Sequence, residues 1–523
     1  MRSPRRQRGF AFVLFVLVLA VGAVAVLAMA LSNRAAQIER DRLTQEKLRE
    51  AKEALIAYAT TGTLTRLSTM GPGYLPCPDL DDDGLAEASC GSAIGDTGQP
   101  ARLGRLPWKT IGLPDLRDAA GERLWYAVSS VYKVNTPLMG LNPDTGLGTI
   151  TVRDPAGAVV NDGTNTSLYN APSGGVVAVI FAPGPAMERW ENAAGTTRTV
   201  QNRTCAGGSC DAAGRCTTVP ATNTPKCNPV NYLEKAAGIT TDEDNADFVD
   251  RNDTRAGNTN GFIQGPVANA GGTILVNDQM VLITYYDIMQ AMMQRVASET
   301  FRCLLDYRNA NNSRYPYPAP TCRSGYTTTN QWSDRPPMFF GRIPTEPLND
   351  TQSDSGGTMS DLWTASCTLI NSPAPDHSPW FIDWRNHVFY AIASSRIPAS
   401  GAPGGCAAST CLQLADTSGT VIAQNKEFAV VVAGPPMNTV APVQTRTGSG
   451  ISSSLRDPRN FLERTNVNLE AMNDISAITE CVSPNDPPAP GHPALCSPLS
   501  NCNRVTLGVH DVLLNDVVRY YPP

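Results

Sequence analysis

Between Phe10 and Leu31 the chain runs for twenty-two residues without a charge, behind a leader that carries Arg2, Arg5, Arg6 and Arg8. At a helical rise of 1.5 Å per residue such a run is about 33 Å long, enough to cross a hydrocarbon core of ~30 Å. The pattern predicts a membrane-spanning helix, with the basic leader kept on the cytoplasmic side and the remainder exported. The helical period then continues in amphipathic form. From Asn33 to Ala59 there is no proline or glycine, and good helix formers dominate. Ile38, Leu48, Ala51, Leu55 and Tyr58 fall at spacings that share a face, while Glu39, Arg42, Glu46, Arg49 and Glu53 stay polar. One helix over Phe10 to Ala59 would be roughly 75 Å long, with its transmembrane half over 10–31 and its exported half over 32–60.

Beyond Thr61-Gly62 and Gly71-Pro72-Gly73 the pattern changes to short apolar stretches between turns. ERLWYAVSS (Glu122 to Ser130) and GGVVAVIFAPG (Gly174 to Gly184) have the composition of strands. A second amphipathic helix is predicted over Met280 to Tyr307, where Tyr285, Ile288, Met292, Val296 and Phe301 recur near helical spacing. Asp287 and Arg295 exclude it as a second span. After it, earlier segments are echoed in the same order. RYPYPAP (Arg314 to Pro320) follows GYLPCP, GRIP (Gly341 to Pro344) follows GRLP, and HVFYAIASS (His387 to Ser395) follows RLWYAVSS. EFAVVVAGPP (Glu427 to Pro436), NFLER (Asn460 to Arg464) and VTLGVHDVLL (Val505 to Leu514) echo VVAVIFAPGP, NYLEK (Asn231 to Lys235) and GTILVNDQMVLI. Collinear echoes at roughly 230 to 265 residues of separation imply an internal duplication. The fold class is therefore α+β: a long N-terminal membrane-spanning helix, then two tandem heads over 61–279 and 280–523, each a helix packed on a mainly antiparallel β-sheet. The stripe Met289, Met292, Met293 reads as packing against its own sheet.

Composition narrows the chemistry. With 41% hydrophobic and 17% charged residues the chain can bury ordinary cores, and its net charge of −6 gives the body no electrostatic reason to bind nucleic acid. Fourteen cysteines in an exported chain favour disulfides over thiol chemistry. Four of them, from Cys205 to Cys227, read as a stapled loop, and their spacing lacks the C-x-x-C pairs of a zinc site. The sequence contains no G-x-S-x-G, H-E-x-x-H or phosphate-binding glycine loop. Its four histidines, His377, His387, His492 and His510, have no nucleophile or metal partner at a matching spacing. These absences favour a structural protein over an enzyme.

A basic leader ending in Gly9, then Phe10, then an unbroken apolar helix running into an amphipathic one resembles the amino terminus of type IV pilins and of the pseudopilins of type II secretion. A secretory signal cut after Ala28-Met29-Ala30, or a twin-arginine signal using Arg5-Arg6, are competing readings. The resemblance implies cleavage between Gly9 and Phe10 by a prepilin peptidase and N-methylation of Phe10. It implies pilin-like heads and a single-pass place in the bacterial inner membrane, with periplasmic heads and a later position in a pilus or pseudopilus. It also implies other pilin-like subunits, an inner-membrane assembly platform and inner-membrane lipid as partners. Most members carry glutamate at the fifth mature position, where this chain has Leu14, a departure shared with the large minor pseudopilin. That favours a minor subunit acting at a tip or in initiation. A tip adhesin, or a membrane-anchored periplasmic enzyme or binding protein, are the alternatives.

The most distinctive exported motif is GYLPCPDLDDDG, Gly73 to Gly84. Asp79, Asp81 and Asp83 followed by Gly84 match the first half of a calcium loop, whereas the twelfth position, where an EF-hand needs a bidentate acid, is Cys90. Two readings stand: a calcium site, the one cofactor the chain suggests, or a solvated acidic turn. Cys77 and Cys90 bracket the loop and would pin it if bonded.

Overall fold

The structure, a computed structural model, describes residues 8–61, 72–90, 102–133, 141–165, 174–192, 196–205, 210–217, 225–238, 243–247, 261–321, 338–344, 367, 379–398, 402–437, 443–447, 454–473, 503–507 and 516–522. Helix α1 spans Arg8–Thr61 without a break, about 80 Å at the usual rise. Exposed pairs Arg42–Glu39, Arg42–Glu46 and Arg49–Glu53 line its solvent side at the spacings that support a helix. Leu48, Ala51, Leu55 and Ala59 form its buried stripe, each 0% exposed. Gly9 and Phe10 lie in its first turn, and residues 1–7 of the leader lie outside the described residues.

Among the described residues no helix is long and apolar enough to cross a membrane. The expectations of a membrane-spanning helix over 10–31, and of a single-pass inner-membrane location with periplasmic heads, are corrected on that finding. Between Arg34 and Glu53 the helix carries Arg, Glu, Asp and Lys side chains.

After α1 the strands are β1 (Leu103–Arg105), β2 (Trp125–Val128), β3 (Val152–Arg153), β4 (Val159–Asn161) and β5 (Ala178–Ala182). The hairpin β6 (Glu188–Trp190) and β7 (Arg198–Val200), then β8 (Phe262–Ile263), the pair β9 (Val267–Ala268) and β10 (Ile274–Val276), and β11 (Gln279–Ile283) complete the first half. The second half holds β12 (Phe340–Arg342), β13 (Val388–Ile392), β14 (Leu412–Ala415), β15 (Val421–Lys426), β16 (Phe428–Val432), β17 (Arg504–Thr506) and β18 (Val517–Tyr521). Helix α2 spans Tyr285–Ala310 and the short α3 spans Pro379–Trp384. Two four-stranded antiparallel sheets have the orders β1-β2-β5-β11 and β12-β13-β16-β18. Each is accompanied by a three-stranded sheet, β4-β3-β8 or β15-β14-β17, in which the last strand pairs parallel.

Strand alternation sorts each sheet's side chains between two layers. Tyr126, Val128, Ala178 and Ile180 from the first sheet share one core with Val388, Tyr390, Phe428 and Val430 from the second, with α1 and α2 filling the space between. On the opposite faces, Trp125, Val179 and Phe181 meet Tyr232 and Phe262, while Phe389, Ala391 and Val431 meet Phe461 and Val505. The two halves are thus welded through a common helical layer, and Lys52 on α1 pairs with Asp287 on α2 at 2.9 Å.

Two sequence readings shift here. Residues 280–283 belong to β11, in register with Ala178–Phe181, and the second helix starts after Thr284. Thr284 caps the Asp287 N–H, and Asp287 accepts from the Thr284 N–H, a capping box that ends the strand and starts the helix. The methionine stripe faces the first half as well as its own. A Cβ at Gly73 would meet Met292 Sδ at 2.5 Å, and one at Gly146 would meet Met289 Cε at 2.7 Å.

Candidate functional site

Cys77 and Cys90 are bonded and fully buried, so the acidic loop is pinned at both ends. Inside it Asp79, 1% exposed, organises the turn: Oδ1 accepts from the N–H groups of Asp82 and Asp83 at 2.7 and 3.2 Å, and Oδ2 from Gly84 at 2.7 Å. Burial, with Asp82 and Asp81 nearby, pushes Asp79 up to about 7 against the pull of those N–H donors. Asp81 and Asp83 are half-buried. The expected convergence of Asp79, Asp81 and Asp83 is altered: Asp83 Oδ1 accepts from Leu85 N–H, and the carboxylate that joins Asp79 and Asp81 is Glu87, all three within 4.8 Å of one another. Three carboxylates supply hard donors of the kind calcium takes, though fewer than its usual six to eight oxygens, and Asp79 is already committed to N–H groups. Glu87 lies outside the D-x-D-x-D-G spacing, so the motif does not reveal it.

Asp82 has the opposite role. Its φ of +68° turns the carboxylate inward, where it meets Arg123 at 2.7 Å, Lys226 at 2.7 Å and Arg105 Nε at 3.9 Å. Burial raises its pKa, but the three cations outweigh burial and hold it below the usual range. Arg105, on the edge strand β1, lies over Trp125 and Tyr232 at 4.4 and 4.0 Å, and Arg203 stacks on Tyr232 at 4.6 Å. These groups open onto a cleft of about 520 Å³ lined by seven cationic side chains and by Asp82, Asp83 and Glu122. Arg105 Nε, on a residue only 4% exposed, has no hydrogen-bond partner.

The second half repeats much of this hydrogen-bond network. Arg342 lies over Phe389 and Phe461 at 3.7 and 4.5 Å, and Arg446 stacks on Phe461 at 4.4 Å. Arg203 donates to Asn231 O, Gly184 O and Gln201 Oε1, and Arg446 donates to Asn460 O, Gly434 O and Gln444 Oε1. Gln201 donates to Glu234 and Gln444 to Glu463. Asp278 Oδ2 accepts from Glu234 N–H and Asn245 Nδ2, as Asp516 Oδ2 does from Glu463 N–H and Asn466 Nδ2. Tyr126 and Tyr390 donate to Pro76 O and Pro316 O. This register corrects the last echo: Asp516 matches Asp278, and Thr506, which donates to Asn466 as Ile263 does to Asn245, matches Ile263. None of these network residues follows from a catalytic motif. The paired NYLEK and NFLER segments were the available signal.

The halves differ in what meets the second arginine. Arg203 pairs with Glu122, whose side chain is 30% exposed at the cleft. Arg446 pairs with Asp144, which crosses from the first half, at 2.9 Å, and the other Asp144 oxygen lies 3.0 Å from His387 Nε2. Burial opposes ionisation of Asp144, yet His387 and Arg446 hold its pKa well below the usual carboxylate range. Burial lowers the His387 pKa despite the Asp144 charge. His377, His492 and His510 lie outside the described residues.

The described cysteines pair as Cys77–Cys90, Cys205–Cys210, Cys216–Cys227, Cys303–Cys367 and Cys406–Cys411. Oxidation of the four in the 205–227 segment removes the thiolates that zinc would need. No protein-family model, no characterised protein and no solved structure matches the chain.

Proposed function

We propose that this protein is a structural assembly subunit, a minor pilin or pseudopilin of a type IV pilus or type II secretion system, acting at a tip or in initiation. The observation that carries the reading is the division of labour along α1. Its far end, Leu48 to Ala59, is locked into the heads, while Phe12 to Val21 presents large apolar side chains that are 47–70% exposed. Exposed apolar surface of that extent is a docking surface for other helices. Leu14, where a shaft subunit carries a glutamate, and the bulk of two fused heads both favour an end position over repeated insertion. Processing after Gly9 and methylation of Phe10 belong to the same reading.

A photo-crosslinker placed at Leu17 of the full chain in its native cell tests it. Cross-links to the N-terminal helices of other pilin-like subunits are expected, together with a mature amino-terminal peptide that begins at methylated Phe10. A well-folded protein that gives no such cross-link, or recovery of the protein at regular intervals along filaments, would overturn the subunit role or the end position respectively.

A further inference from the structure

We infer that the cleft of the first half is a docking site for a carboxylate side chain, aspartate or glutamate, carried by a partner polypeptide. The second half supplies the reason. There the repeated Arg–aromatic–Arg stack is completed by an acid from a different segment, Asp144, held by Arg446 at 2.9 Å. In the first half the corresponding stack, Arg105, Tyr232 and Arg203, meets only acids of its own half, the buried Asp82 at Arg105 and the partly exposed Glu122 at Arg203, and it opens onto solvent space of about 520 Å³ that, among the described residues, no acid from another segment fills.

Charge and geometry agree with that assignment. Seven cations face three carboxylates in the lining, and a positive surplus remains after counting Asp115 and Asp211, which brace Arg117, Arg123 and Arg215 from outside it. Bracing fixes the guanidinium planes, so little order is lost when a carboxylate arrives. Arg105 Nε is buried without a hydrogen-bond acceptor. Asp82, Asp83 and Glu122 in the wall would repel a polyanion or a dianion more strongly than a single carboxylate. Trp108 and Tyr232 offer apolar surface to the stem of the incoming side chain. The inference rests on the heads alone and would stand if α1 had no assembly role.

The probe is the chain's own docking turn, acetyl-Leu-Asn-Pro-Asp-Thr-Gly-amide, titrated calorimetrically into the full-length protein at low salt. The peptide is expected to bind, to weaken as salt rises, and to lose about tenfold in affinity when its Asp is replaced by Asn. Lys109→Glu and Arg117→Glu, both at the rim, should each weaken it by about tenfold with unchanged thermal melts, whereas Arg49→Glu on the exposed face of α1 should leave it unchanged. Absence of binding at millimolar peptide, equal binding of the Asn peptide, or insensitivity to both rim variants would overturn the proposal. Inorganic phosphate that displaces the peptide and binds more tightly would also overturn it, by showing a small-anion site instead.

Discussion

Asp79 and Ala319 occupy the same place in the two halves, each bridged to the arginine of a Gly-Arg edge strand, Arg105 or Arg342. In the first half the aspartate gathers three N–H groups into a tight acidic loop whose next carboxylate, Asp82, turns in to neutralise a cluster of cations. In the second half alanine has nothing to gather, and the stack is covered by chain instead: Arg342 is 0% exposed, and Asp144 seals Arg446 from across the junction. The shared scaffold therefore tolerates two solutions to one problem, a buried arginine on an aromatic face. One solution keeps the charges near water and leaves a cleft. The other closes the site and ties the halves together.

The largest test of this contrast is removal of each acid. Asp144→Asn should cost about 3–5 kcal/mol in urea unfolding, because Arg446 is left buried without a counter-charge and His387 Nε2 loses its carboxylate partner. Asp82→Asn should cost about 2 kcal/mol, since Arg123 and Lys226 remain about a quarter exposed and water reaches them. Equal losses would break the distinction between a sealed and an open stack. Disulfide removal comes next. Cys303→Ser with Cys367→Ser frees a 64-residue separation and should cost about 4 kcal/mol, against about 3 kcal/mol for Cys77 and Cys90, 13 residues apart.

A third test asks whether the two networks are equivalent where they look identical. Glu234 and Asp278 are buried side by side, and burial raises both pKa values, Asp278 to about 7; burial beside Glu463 likewise raises Asp516 well above the usual range. Oδ1 of Asp278 and Oδ1 of Asp516 accept no hydrogen bond, and burial favours the protonated acid at both. The folded state thus holds protons that the unfolded chain releases near pH 4. Stability is present below that value and is lost as pH rises, through about 7 for Asp278. Asp144 acts with the opposite sign: its lowered pKa gives stability above about pH 4 that disappears as pH falls. Asp278→Asn and Asp516→Asn should flatten the neutral-side slope by similar amounts in unfolding curves between pH 5 and 8, and unequal changes would show that the networks have diverged. The smallest effect is expected from Glu122→Gln, at most about 1 kcal/mol, because its partner Arg203 keeps three other acceptors.

Much of the scaffold could be read from the chain because it depends on local periodicity. Of the predicted face of α1, Leu48, Ala51 and Leu55 are buried, whereas Ile38 is 68% exposed and Tyr58 half-buried because the heads cover only the far end of the helix, and the echoes GRLP and GRIP, or LWYAV and VFYAI, fall on matched strands. The start of α2 was missed because Met280 to Ile283 is apolar enough to suit either helix or strand, and cross-strand pairing with β5 decided it. The membrane span was inferred from an uncharged run, and the structure does not support it among the described residues. In the acidic loop the spacing of Asp79, Asp81 and Asp83 was visible, but Glu87 enters only because the chain folds back, and Asp82 leaves the row only through its left-handed backbone.

By itself the sequence determined the long helix, the strand-forming segments and the presence of related segments in two halves, since each follows from propensity and spacing along the chain. Tertiary structure alone decided that the halves share a helical core and that one arginine stack is open and the other closed. Asp144 and Arg446 are 302 residues apart, and whether an arginine is buried depends on what packs over it. A linear pattern records which residues are present, but the electrostatic role of a charge is set by the neighbours that folding brings to it.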